Sequence, residues 1–431
     1  MKREAVAVET PARLDLLKTP LLGAFLRWRH SRSALQLVSL LVAALVVYDG
    51  LTGPQLAPKN LAGVVPWVQW RGLIVLALLL VGNLFCMACP FMLPRQLAKK
   101  LLPARLSWPG RLPAKLFAVP LLILFFWSYE AFSLWSSPWL SAWLALAYFA
   151  CAFLVDGLFK GAAFCKHLCP IGQFHFVNSV ASPLEVGVRS PGRCLACTSK
   201  ACIKGRRDDA GRALRGCELW LFQQRKTGNL DCTFCLDCAK ACTEDNVGIL
   251  GRKPVSELWR DRSRAPATDF ARRPDLAAMA VVLVAAAFMN AFGMVAPVYG
   301  VERWIAGSLG TESRLLVLAV LFGFGLVVVP ALLVSIAGWI GRYLAGSRRP
   351  VIQVASYYSF ALVPLGFGMW LSHYSFHFLT GALTVLPVVQ SLLSDLGLPR
   401  IGSPQWGLGP VVPFSWLMPV ELLFLEGGLL A

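Results

Sequence analysis

Apolar runs long enough to cross a bilayer recur along the chain, at 34–51, 72–89, 116–135, 139–159, 276–298, 315–340, 351–378 and 411–430. A run of about 20 apolar residues matches the hydrocarbon thickness of a membrane, and within it only helices and closed barrels satisfy their backbone hydrogen bonds. The runs therefore predict an all-α polytopic membrane protein of about eight transmembrane helices. Composition agrees. Of the 431 residues 57% are hydrophobic and 15% charged, with mean hydropathy +0.61, whereas soluble chains carry about 25% charged residues. The 15 Trp and 26 Phe suit interfacial belts and lipid-facing surfaces.

A formal net charge of +18 would suggest nucleic acid in a soluble chain. Here the Lys and Arg gather between apolar runs, where they set topology, and no basic helix free of the membrane is present to enter a groove. Residues 1–33 bring Arg27, Arg29, His30 and Arg32 up to the first run with no small-residue cleavage site after it, so we read an uncleaved anchor. The loop with Arg95, Lys99, Lys100, Arg105, Arg111 and Lys115 holds no acid and falls inside, as do Arg342, Arg348 and Arg349. Glu302, Arg303 and Glu312 belong to an outer loop, and 382–412, rich in Gly and Pro, to an outer loop or re-entrant segment. The expected organisation is a cytoplasmic segment 1–33 and a four-helix membrane domain 34–181. A cytoplasmic insert 182–275 follows, then a C-terminal membrane domain 276–431 of about four helices, with both termini inside.

Eight of the 13 cysteines crowd into the insert, as Cys194-x2-Cys197-x4-Cys202, Cys217 and Cys232-x2-Cys235-x2-Cys238-x3-Cys242. The last four follow the bacterial ferredoxin run, in which three cysteines hold one iron–sulfur cube and the fourth reaches a different one. A structural zinc site takes two separated pairs instead, and disulfides fit poorly with a basic segment facing the cytoplasm. We expect a two-cluster ferredoxin-like insert. One [4Fe-4S] cluster would lie on Cys194, Cys197, Cys202 and Cys242, the other on Cys232, Cys235, Cys238 and Cys217. The first half is irregular: x4 replaces x2, residues 204–215 are inserted, and Thr243 stands where ferredoxins usually carry proline.

Four more cysteines form an internal repeat. Gly82-x2-Phe85-Cys86-x2-Cys89-Pro90 closes one hairpin and Gly161-x2-Phe164-Cys165-x3-Cys169-Pro170 the next, and sites in membrane proteins are often built where such repeats meet. Each pair lies on one face of a helix end, and proline then turns the chain. Three readings stay open: a third metal or cluster site, redox-active thiols with a pKa lowered by Lys166, or buried structural cysteines.

The two Cys-Pro motifs at helix ends followed by a ferredoxin segment resemble the NapH- and NosR-type membrane ferredoxins, or polyferredoxins, to which the copper-reducing factor CcoG is related. The resemblance covers roughly 60–250. It implies electron transfer in the bacterial cytoplasmic (inner) membrane, linking the cluster pair to the quinone pool or a partner redox enzyme. The first motif is C-x2-C-P where the family more often has C-x3-C-P, and the flavin-bearing outer domain of NosR-type proteins is missing. A metal (copper) reducing assembly factor for a respiratory enzyme and a redox sensor are the other functions this pattern allows. A transporter would need polar residues converging at mid-membrane, and few are found.

His373 and His377 stand one helical turn apart near the outer surface. Together with Glu130, and with Asn290 on a neighbouring helix, they suggest a quinone-contacting or proton-accepting site; the alternative is interfacial histidine facing headgroup water. Bis-histidine haem needs ligands from opposite faces, and no C-x-x-C-H offers covalent haem. Asp156 is expected to pair with Lys160 and Cys151 to pack in the core. Gly323-Phe-Gly325 and Gly366-Phe-Gly368 read as helix-packing sites.

Overall fold

A computed structural model describes residues 13–102, 104–110, 112–258, 270–398 and 402–431; Arg111 of the basic loop, residues 1–12 and part of the insert's C-terminal end lie outside it. The described chain is mostly helical with little sheet. Among the described residues six helices are long and apolar enough to cross a membrane: α1 (Ser31–Thr52), α2 (Leu61–Val81), α4 (Pro138–Leu158), α5 (Pro274–Phe292), α6 (Arg314–Leu344) and α7 (Val351–Asp395). The other two expected spans are shorter helices, α3 (Ala118–Ala131) and α8 (Leu417–Leu430).

Local chemistry sets the ends. Asn60 accepts from Ala62 N at the start of α2, and Ser137 accepts from Leu140 N with Pro138 at the first position of α4, both favoured N-terminal arrangements. Helix α2 begins well before the expected residue 72. Its turns Val65–Trp70, which hold Pro66, widen to π-helix, a way of continuing a helix where a ladder N–H is lost. It stops at Gly82 (φ +69°), a left-handed position that suits glycine. The expected outer loops contain helix too, at Pro297–Leu309 and at Val385–Asp395, where α7 runs on into the second loop.

Helices α2, α5 and α7 share the membrane core. Trp370 is fully buried among Leu78, Leu276, Met279 and Leu283, and its indole donates to Leu283 O at 3.0 Å. Close backbone approaches make that packing possible: a Cβ on Gly368 would meet Phe424 O at 2.6 Å and one on Gly366 would meet Val284 at 2.7 Å. Gly325 abuts Met289, whereas Gly323 faces open space. Cys151 is exposed on α4 rather than packed in the core. Leu332, Leu333, Ile336 and Trp339 of α6 are exposed as well, as expected of surfaces that meet lipid acyl chains.

The insert is tied at both ends by β1 (Leu184–Val188) and β4 (Val247–Gly251), antiparallel, with Leu184 opposite Gly251 and Val188 opposite Val247. The inserted stretch at 204–215 forms a small hairpin, β2 (Arg206–Arg207) with β3 (Ala213–Leu214). The N-terminal segment is not separate from this unit. Asp15 bridges to Leu250 and pairs with Arg189 at 2.7 Å, while Leu17 and Leu26 join the insert's apolar core.

Candidate metal centre

The 232–238 loop owes its shape to left-handed residues at Asp231, Phe234 and Leu236 (φ 58°, 50° and 61°). Such conformations are uncommon outside glycine. Burial stabilises them here, because Phe234 and Leu236 fill the insert's core beside Val186, Ile249 and Met87. Left-handed residues interspersed in a loop turn successive N–H groups inward, the concavity that binds anions and iron–sulfur groups. Lys200 (φ 49°) ahead of Cys202 and Trp220 (φ 59°) after Cys217 repeat the device.

The eight cysteines fall into two sets of four. Cys194, Cys197, Cys202 and Cys242 line one small cavity near the surface, with Ser199 and Thr243 on its rim. Cys217, Cys232, Cys235 and Cys238 form the inner set. Burial, then the charges of Cys235, Cys232 and Cys217, push the Cys238 thiol well up. Hydrogen bonds reach the sulfurs of both sets: Leu221 N to Cys217 and Gln223 Nε2 to Cys238, each at 3.4 Å, and Asn246 N to Cys242 at 3.4 Å. Gln223 serves both, since its backbone N–H bonds Cys202 while its side chain bonds Cys238. Sequence reasoning missed this residue; nothing in its surroundings distinguishes it from the neighbouring Gln224.

Among the described residues no group of three or more His, Cys, Asp or Glu side chains converges to hold a single ion. Thiols distributed round a cavity, with N–H groups aimed at sulfur, suit a cube with iron at separate corners. Burial raises the Cys194 and Cys235 thiols, whereas Cys197 is lowered by the Ser199 hydroxyl and the Lys200 N–H. Cluster binding would replace those thiol protons.

The inner set is clamped to the membrane domain by three buried ion pairs, each involving an acid beside a cysteine. Arg95 pairs with Glu218, next to Cys217. Lys115 pairs at 2.6 Å with Asp231, next to Cys232. Arg32 pairs at 2.8 Å with Asp237, next to Cys238. Burial opposes the Glu218 charge, yet Arg95 and Lys99 overcome it and its pKa falls to about 2. In the sequence Arg32, Arg95 and Lys115 look like topogenic loop charges; in the structure all three are buried. Arg95 also takes Asp156, at 2.9 Å, in place of the expected Lys160. The reason is local: the chain leaves α4 in extended conformation at Phe159, so the helical spacing to Lys160 does not exist.

The Cys-Pro motifs come together. Gly82 and Gly161 both adopt positive φ (69° and 77°), and a Cβ on Gly161 would meet Glu218 O at 2.9 Å. The one-residue difference between the motifs is absorbed by a π-turn at Phe164–Leu168, closed by Cys169 N to Phe164 O at 2.8 Å, where the first motif has the α-turn Leu84–Met87. Burial raises the Cys86 thiol, and the charges of Cys89, Cys165, Cys169 and then Cys232 add to it, which places the inner set beside this third one. Arg95 donates to Cys165 Sγ at 3.4 Å, Gly172 N to Cys169 Sγ at 3.2 Å, and Tyr148 Oη lies 4.0 Å from Cys169 Sγ. The lowering expected from Lys166 does not occur. Burial outweighs Arg95 and raises Cys165, and Cys89 is pushed up to about 12 by burial and then by Cys165.

His373 and His377 lie edge to face on α7, 5.0 Å between ring centroids, His373 buried and His377 half-buried. Glu130 faces Arg314 at 3.5 Å, and Asn290 keeps a buried amide nitrogen without a hydrogen-bond partner. Known protein families, characterised proteins and solved structures give no match to this chain. Any functional reading therefore starts from these residues.

Proposed function

We propose that the protein is a membrane-bound iron–sulfur electron-transfer protein. It carries single electrons between a pair of [4Fe-4S] clusters in the 182–275 insert and the quinone pool or a partner redox enzyme. The crossed order of the cysteines carries this reading: each set takes three from one half of the run and its fourth, Cys242 or Cys217, from the other, as two-cluster ferredoxins do. The clusters when bound accept and return one electron each. The chain's own residues orient the thiols, exclude water from the inner set and hold it against the Cys-Pro motifs. In this reading the shorter α3 and α8 complete eight spans, the insert faces the cytoplasm of a bacterial inner membrane, and the chain is of NapH/NosR/CcoG type. Anaerobically purified protein, reduced with dithionite, gives low-temperature EPR signals of reduced cubes; a silent, iron-free preparation overturns the proposal.

The gathered Cys-Pro thiols favour a second reading, in which Cys86, Cys89, Cys165 and Cys169 present a metal such as copper for reduction. Replacing Cys165 and Cys169 by serine separates the two. Loss of partner metallation with quinol-linked electron flow intact supports metal reduction; loss of both supports a relay.

A further inference from the structure

Left unused by the cluster sites is an apolar cavity of about 240 Å³ between α1, α2, α3 and α4, with Leu283 of α5 and Tyr374 of α7 completing its lining. Its walls are almost entirely hydrocarbon and aromatic, with one charged group, Arg71. Arg71 sits at the middle of α2, ten residues from Leu61 and ten from Val81, hence about 15 Å from either end. A charge at such depth is costly and usually serves a ligand or a pathway.

Its surroundings do not neutralise it. The guanidinium lies over Trp67 and Tyr129 at 4.5 Å and Tyr374 at 5.1 Å, and donates to Tyr129 Oη at 3.1 Å. Among the described residues no carboxylate pairs with it. The aromatic faces hold the cation in place, and it still has further donors to offer, since five N–H groups radiate from a guanidinium. At the other end the cavity is walled by Pro90 and Pro170 of the two Cys-Pro motifs and by Tyr148, whose hydroxyl is 4.0 Å from Cys169 Sγ.

We propose that this cavity binds a lipid-soluble quinone, with a ring oxygen hydrogen-bonded to Arg71 and the ring between Arg71 and the Cys-Pro motifs. Depth selects the ligand. A phospholipid phosphate belongs at the interface and cannot follow its chains to mid-membrane, whereas a quinone head is neutral, flat and carries carbonyl acceptors. Apolar walls with a few placed polar groups are the usual form of such pockets. The site adjoins His373, whose ring packs 5.5 Å from that of Tyr374, but neither histidine lines the cavity. Its redox role rests on the electron-transfer reading above, but binding itself does not.

The test is photolabelling of the full-length protein in lipid nanodiscs with an azido-quinone, followed by peptide mapping. Labelling is expected on peptides of α1, α2, α3 or α4, competed by excess unmodified quinone and not by added phospholipid. Ala145→Phe, which fills the cavity from α4, is expected to raise the half-saturating concentration at least about tenfold. Arg71→Gln is expected to raise it about ten- to hundredfold, the loss of one charge-assisted hydrogen bond. Iron per chain is read on the same samples and stays unchanged in Ala145→Phe. Labelling on other spans, competition by phospholipid, or an unaltered Ala145→Phe variant overturns the cavity assignment while leaving the clusters standing. Iron-free wild-type protein that still labels at α1, α2, α3 or α4 overturns the electron-transfer reading and leaves the binding site intact.

Discussion

The two cysteine sets of the insert are chemically alike and physically opposite. The outer set borders solvent, with exposed Arg193, Lys200 and Lys204 nearby, and its sulfurs bond to a hydroxyl and to main-chain N–H groups. The inner set is buried and joined to the membrane domain by Arg32, Arg95 and Lys115. The difference is one of access: the outer set is open to whatever is dissolved, whereas the inner set lies beside the Cys-Pro motifs. Removing a partner from a buried ion pair costs far more than removing an exposed hydrogen bond, so the comparison can be broken by substitution.

The largest effect is expected at Lys115. Lys115→Met strands Asp231 in a buried position at a cost of about 3–5 kcal/mol, so the inner cube is lost and iron per chain falls by about half. Thermal unfolding and iron analysis check this, and adding Asp231→Asn is expected to recover part of the stability. Unchanged iron in the single variant would mean the clamp does not support the inner site.

Thiol reactivity in apoprotein comes next. Cys197 is lowered by Ser199 and Lys200, whereas burial raises Cys194 and Cys235. The thiolate is the nucleophile, so alkylation speeds up with pH and levels off above each pKa. Iodoacetamide labelling followed by mass spectrometry is expected to find Cys197 modified first, levelling off at lower pH than Cys194. At neutral pH the advantage is about tenfold for each unit of pKa separation. Equal rates for Cys197 and Cys235 would erase the contrast between the sets.

Smaller effects sharpen it. Gln223→Leu removes a donor from Cys238 and is expected to lower the inner cube's potential by roughly 40 mV, the one-electron equivalent of about 1 kcal/mol, in an EPR-monitored redox titration. Ser199→Ala is expected to lower the outer potential by about half as much, because water replaces the lost hydroxyl.

What the sequence made legible follows from range. Apolar runs and cysteine spacing are local, and they carry the membrane-helix character and the grouping of Cys232, Cys235 and Cys238. The ion-pair clamp is not local. Arg95 meets Glu218 across 123 residues and Lys115 meets Asp231 across 116, and a basic loop that orients a membrane protein has the same composition as one that docks an insert. Asp156 shows the limit of helical spacing, since one extended residue at Phe159 cancels it. Arg71 is not legible either, because a single cation inside an apolar run gives no hint of the aromatic cage around it. The π-turn at Phe164–Leu168 explains how motifs of unequal length present equivalent cysteines, which spacing alone leaves as a departure.

Counting iron and acid-labile sulfide per chain, in protein purified without oxygen, bears most directly on the central claim. Two cubes held by the 194–242 cysteines require about eight of each, with any surplus assigned to Cys86, Cys89, Cys165 and Cys169. Stoichiometric zinc with no sulfide would contradict the account.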